Sequence, residues 1–160
     1  MTYSATFKRI LWTNLIVVVF IVLLDQISKR FLLNEVGLNH TKEFIPGLFN
    51  FTIVQNTGGA FSILKQYPIY FKIIGIVNVL IFSYLAFCPT VAFHTLTKIG
   101  CACILGGTIG NLTDRFISGA VIDFLDLQLF NFAVFNLADV FIDLGVVLIL
   151  LGWYLTNKKH

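Results

Sequence analysis

The chain has 160 residues, 58% of them hydrophobic and only 12% charged, and its mean hydropathy is +0.88. Soluble domains average about 45–50% apolar and about 25% charged residues, so these few charges cannot cover a water-facing surface and a soluble globule is excluded. The net charge of +3 comes without a basic run interleaved with aromatics; no nucleic-acid partner is expected, and the basic residues point instead to membrane surfaces.

A spanning helix needs about 20 mainly apolar residues, and four stretches are candidates. The first, about 10–33, follows Lys8 and Arg9 and has "ILWTNLIVVVFIVLL" as its uncharged part. No small-residue cleavage site follows it, and the run continues into Asp25 and Lys29, so it reads as an uncleaved span. A connection of about 34–70 comes next. In it Phe49, Phe51, Ile53 and Gln55 alternate with Asn50, Thr52, Val54 and Asn56, which predicts a strand. "NTGG" breaks that strand, and "AFSILKQYPIYF" reads as a short interfacial helix. The second span, about 71–87, ends at "CPT", because Pro89 cannot continue a helix without a break. The third, about 97–111, is rich in glycine; Gly106 and Gly110 have the spacing that lets helices approach closely, which predicts tight packing within a bundle. Cys101 and Cys103 lie here, and with Cys88 they show neither metal nor disulfide spacing, so they are expected to pack. A connection of about 114–135 contains "VIDFLDLQLFNFAVF", again strand-like, and the fourth span covers about 136–155.

An even number of spans returns both termini to one side. The termini and the 88–98 connection hold Lys8, Arg9, Lys98, Lys158 and Lys159 and no acidic residue, whereas all eight acidic residues fall toward the opposite face. Basic loops face the cytoplasm, which predicts cytoplasmic termini and an extracytoplasmic acidic cluster. The expected fold is a membrane all-α class: one domain over 1–160, a four-helix transmembrane bundle with a small β-sheet cap made by its two outer connections.

Polar residues near the spans fall into sets. Asp25 and Lys29 are four apart and share a helix face. Asn111, Asp114 and Arg115 close the third span, where Asp114 pairs with Arg115 or a nearby partner, or Arg115 holds an anionic headgroup. Asp123 stands in an apolar strand-like run. Asn136 is placed to cap the fourth span, with Asp139 in its first turn and Asp143 one turn deeper. No serine–lysine or serine–histidine pair and no HExxH metal motif is evident, and His40, His94 and His160 lie in loops or the tail. Carboxyl groups remain as the chemistry. Two carboxyls around one water can hydrolyse a peptide bond, one as base and the other as acid. On residues alone, other readings stay open: an ion-coupled carrier relaying protons through Asp139 and Asp143, a lipid phosphotransferase holding Mg²⁺ on Asp123 and Asp126, and a noncatalytic assembly factor.

Five stretches occur together and in order: "DQISK" (25–29), "NTGGAF" (56–61), "GNLTDR" (110–115), "VIDF" (121–124) and "FNLAD" (135–139). With them the chain resembles, over nearly its whole length, the bacterial lipoprotein (type II) signal peptidases. The resemblance implies an aspartic endopeptidase of the bacterial cell membrane, with four spans and an extracytoplasmic β-cradle. It implies substrates that are diacylglyceryl-modified prolipoproteins cut just before the lipidated cysteine, surrounding membrane phospholipids, inhibition by globomycin, and no metal or cofactor. The catalytic pair falls on Asp123 and Asp139, and the supporting residues on Asp25, Lys29, Asn56, Asn111, Asp114, Arg115 and Asn136. Gly58, in "NTGG", is expected to bring backbone donors close to an extended substrate. The family pattern assigns nothing to Asp143.

Overall fold

The protein is described from a computed structural model, which covers residues 3–58, 66–90, 93–129 and 132–158. In chain order the elements are α1 (Tyr3–Val36), β1 (Thr41–Ile45), β2 (Phe49–Asn56), α2 (Pro68–Phe87), α3 (Thr95–Ile117), β3 (Val121–Leu127) and α4 (Leu137–Asn157). Part of the "AFSILKQYPIYF" stretch lies outside the described residues, and its end, from Pro68, forms the first turn of α2.

Lys8–Val36, Pro68–Phe87 and Leu137–Asn157 are long and apolar enough to cross a membrane. The remaining helix, α3, carries more polar and small residues. Its 23 residues span about 34 Å at ~1.5 Å per residue, enough for a bilayer core. It packs against each of the other three helices, and most of its residues are buried. Protein rather than lipid therefore surrounds its polar groups, which is why a span of weaker hydropathy is tolerated at the centre.

Small residues set the spacing around α3. A Cβ on Gly100 would stand 2.6 Å from the Gly145 carbonyl oxygen of α4, and one on Gly145 would stand 2.6 Å from the Gly100 carbonyl oxygen. The two backbones touch there, and no side chain fits between them. Gly106 meets Ile21 and the Val18 carbonyl of α1, and Gly110 meets the Asp25 carboxyl. The spacing that predicted close packing thus works between α3 and α1, while Gly100 and Gly107 serve the α4 side.

The helix ends are satisfied by side chains from neighbours. Asn14 of α1 donates to the Ala86 carbonyl (2.8 Å) and Lys98 of α3 to the Cys88 carbonyl (3.0 Å), so two elements cap the end of α2. Lys98 is therefore a buried residue in the first turn of α3, not a loop charge. His94 accepts from the Leu96 amide as the N-cap of α3.

At the opposite end lies one antiparallel sheet in the order β1-β2-β3. Val54 is opposite Asp123 and Asn56 opposite Val121, with a register shift between Phe51 and Val54. Ile53, Ile122 and Phe124 are buried and pack on Leu32, Leu33 and Val36 at the end of α1. That apolar contact seats the sheet on the bundle. Phe135 extends it through a bridge to Leu125, carrying the chain directly to the start of α4.

Candidate active site

Asp123 and Asp139 come from different elements and meet through one residue. Asn136, fully buried, donates its side-chain Nδ2 to Asp123 Oδ1 (2.6 Å) and its backbone N–H to Asp139 Oδ2 (3.1 Å). Its Oδ1 in turn accepts from the Asp139 amide (3.1 Å), completing a reciprocal cap of α4. The sequence reading of Asn136 as the cap therefore holds, and the same cap orients both carboxyls. The other oxygen of each carboxyl is also held: Asn56 donates to Asp123 Oδ2 (3.1 Å) and Asn111 to Asp139 Oδ1 (2.8 Å).

Behind them lies a charged relay. Lys29 is 3% exposed and lies 2.8 Å from Asp25 Oδ2, 2.8 Å from Asp114 Oδ2 and 2.9 Å from Asn111 Oδ1. One buried ammonium thus balances two carboxylates and fixes the amide that holds Asp139. Asp25 Oδ1 accepts from the Ala138 amide (3.1 Å), tying α1 to the first turn of α4. Asp114 also accepts from the Ile122 amide (3.3 Å), tying α3 to β3. Its ion partner is Lys29, not Arg115. The two neighbours lie about 100° apart around the helix, so they face different ways. Arg115 instead donates to the Gly58 carbonyl (3.1 Å) and lies over the Phe71 ring, 5.4 Å from its centroid. The Gly58 amide donates to Asn56 Oδ1 (2.9 Å), so Arg115, Gly58 and Asn56 together position the strand end that touches Asp123. Gly59 and the rest of "NTGGAF" lie outside the described residues.

Sequence reasoning assigned no role to Gln26 or Phe71. Gln26 donates to Asp114 Oδ1 (2.8 Å) and to the Gly110 carbonyl (3.2 Å). Its place inside "DQISK", between the two charged residues, was the available signal.

These groups line a cavity of about 600 Å³. Asn56, Gly58, Asn111, Arg115, Asp123, Asp139 and Asp143 form its polar wall, and Leu127, Phe132, Val134, Phe135 and Ile142 its apolar wall. Such a cleft suits an extended apolar peptide with a few fixed polar contacts. Burial pushes the Asp123 carboxyl up to about 6, the negative charge of Asp139 adds to the effect, and the hydrogen bonds from Asn56 and Asn136 oppose it. Asp126 is not part of the site. Three residues along the same strand it faces the other way and accepts from Thr52 (2.6 Å). Among the described residues no cluster of three or more His, Cys, Asp or Glu is placed to hold a metal ion.

The family model described as signal peptidase (SPase) II matches residues 17–155. The chain belongs to the lipoprotein signal peptidases. It is 38% identical to the lipoprotein signal peptidase of Nostoc punctiforme, over 91% of this chain and 89% of the relative. The corresponding protein of Staphylococcus aureus is 30% identical over 96% of both chains. A bacterial membrane enzyme solved by the in meso method at 2.3 Å resolution superposes with a TM-score of 0.81 and 27% identity, over 92% of this chain and 90% of the other. As a signal peptidase II the protein is a membrane protease that removes signal peptides from prolipoproteins. In this lipoprotein signal peptidase, residues of all five motifs meet at one cavity wall and the network behind it: Asp25, Lys29, Asn56, Asn111, Asp114, Arg115, Asp123, Asn136 and Asp139.

Proposed function

We propose that this lipoprotein signal peptidase cuts the peptide bond just before the diacylglyceryl-modified cysteine of a prolipoprotein, with Asp123 and Asp139 as its catalytic pair. The observation that carries the assignment is the shared Asn136, which holds one oxygen of each carboxyl at the wall of one cavity. Two carboxyls held by one residue resist double ionisation, so the pair works with a single shared proton. The ionised member takes a proton from a water, and the resulting hydroxide bonds to the scissile carbonyl carbon. The protonated member donates to the carbonyl oxygen. When the tetrahedral intermediate collapses, the C–N bond breaks, the departing nitrogen takes the proton held by the carboxyl that had deprotonated the water, and a hydroxyl of the intermediate returns its proton to the other carboxylate. The products are a signal peptide with a new carboxylate and a lipidated cysteine with a free amino group. No metal or cofactor enters these steps.

Asn56, Asn111 and Asn136 hold the pair in register. Lys29, paired with Asp25 and Asp114, fixes Asn111 from behind, and Arg115 with Gly58 shapes the strand end beside the substrate. The exposed apolar side chains of α1, α2 and α4 face phospholipid tails of the bacterial cell membrane. The termini lie in the cytoplasm and the cavity opens at the extracytoplasmic face, where the lipid anchor stays in the bilayer beside the bond to be cut. Compounds of the globomycin type bind in the same cavity.

The test is cleavage of a diacylglyceryl-modified prolipoprotein by the purified protein, with and without EDTA, beside Asp123→Asn and Asp139→Asn variants. Cleavage by either variant at the wild-type rate sinks the pair. Loss of wild-type activity in EDTA favours a metal mechanism instead.

A further inference from the structure

Asp143 lines the same cavity as Asp123 and Asp139 and has no role in the chemistry above. It lies four residues beyond Asp139 on α4, hence on the same helix face and about 6 Å further along the axis. The other carboxyls of the site are engaged: Asp25, Asp114, Asp123 and Asp139 each accept at least two hydrogen bonds or a hydrogen bond and an ion pair. Asp143 is exposed and forms neither with any described residue. Ile142, beside it in the chain, and Phe135 line the same cavity and are apolar. An ionisable group on a spanning helix with no protein partner is the mark of a group that meets a ligand.

We propose that Asp143 is a specificity-determining residue, accepting a hydrogen bond from a hydroxyl on the signal-peptide side of the cleavage point. The inference rests on the pair Asp123 and Asp139 holding the scissile bond. From there the signal peptide runs toward the bilayer, and α4 runs the same way. An extended peptide advances about 3.3 Å per residue, so the 6 Å offset of Asp143 corresponds to about two residues. Asp143 therefore stands opposite the second or third residue before the cleavage point. A serine there supplies the donor that the carboxyl lacks. An alanine of similar size strips solvent from the carboxyl and returns nothing, which is how a site built to hydrogen-bond discriminates.

The test uses the purified full chain and two pairs of diacylglyceryl-modified peptides, with serine or alanine at the second or at the third residue before the cut. Wild type is expected to prefer serine about 10-fold in kcat/KM at one of the two positions. Asp143→Leu brings that ratio to about 1, and Asp143→Asn, which keeps an acceptor oxygen, leaves it between the two. The ratio is the readout because a merely structural role lowers both rates together. No serine preference in wild type at either position overturns the proposal, as does an unchanged ratio in Asp143→Leu. If Asp143→Leu does not fold by thermal unfolding in detergent, an unchanged ratio in Asp143→Asn overturns it. Failure of the underlying reading looks different: Asp123→Asn then cleaves these peptides as wild type does.

Discussion

At the scale of single residues, the site is a problem of holding two acids beside each other. Asp123→Asn and Asp139→Asn each keep the shape and remove the proposed acid–base function, so each is expected to lower the cleavage rate by roughly 10²–10⁴-fold, measured as product formed from a lipidated substrate. The Asp123 carboxyl also leaves a signature in stability. Its folded value of about 6 lies above the ordinary 3.8, so between about pH 4 and 6 the folded chain keeps a proton that the unfolded chain has released. Stability therefore falls as pH rises through that window and stays lower above it. Asp123→Asn removes this contribution: its unfolding free energy in detergent should exceed that of wild type at pH 7.5 by on the order of 3 kcal/mol, read as a higher thermal midpoint, and the advantage should vanish near pH 4. A variant that tracks wild type at both values contradicts the assigned cause. Asn136→Ala removes both the helix cap and the link between the carboxyls, so a stability loss of about 1 kcal/mol should accompany a much larger loss of rate.

Between elements, α3 is the piece the others are built on. Its approach to α4 is set by Gly100 and Gly145, each lying where the other's backbone carbonyl leaves no room for a Cβ. Gly145→Val should push the helices apart and lower the unfolding free energy by roughly 1–3 kcal/mol, read as a lower midpoint in a detergent melt; an unchanged midpoint would show that the contact is loose. Lys29 joins α1 to the end of α3. Lys29→Met leaves Asp25 and Asp114 buried without their cation, with an expected cost of roughly 3–5 kcal/mol and a loss of activity as Asn111 loses one of its anchors. Much of this level was legible from residue spacing: the Asp25–Lys29 pair, the Asn136 cap, and the glycines of the third span. The partner of Asp114 was not, because it lies across the bundle on another helix. The role of Gln26 was hidden for the same reason.

For the whole molecule, one end carries Lys8, Arg9 and Lys158 and no acidic residue while the carboxyls gather toward the other, which makes sidedness testable. Reporter fusions at the C-terminus should behave as cytoplasmic, and a cysteine placed in the β1–β2 hairpin should react with an impermeant maleimide added outside the cell; the opposite pattern inverts the topology. The sequence by itself determined that the chain lives in a bilayer, how many times it crosses and which connections form strands, and its family resemblance singled out which carboxyls to propose as the catalytic pair. Those properties follow from hydropathy, periodicity and motif order, which are local along the chain. Only the tertiary structure decided that Asp123 and Asp139 meet at all. Their contact with Asn136 depends on the register of β2 against β3, on the bridge from Leu125 to Phe135, and on the seating of the sheet on α1. It also decided that Asp143 faces the cavity rather than lipid. Both outcomes come from the packing of separate elements, a non-local property that no spacing within one stretch encodes.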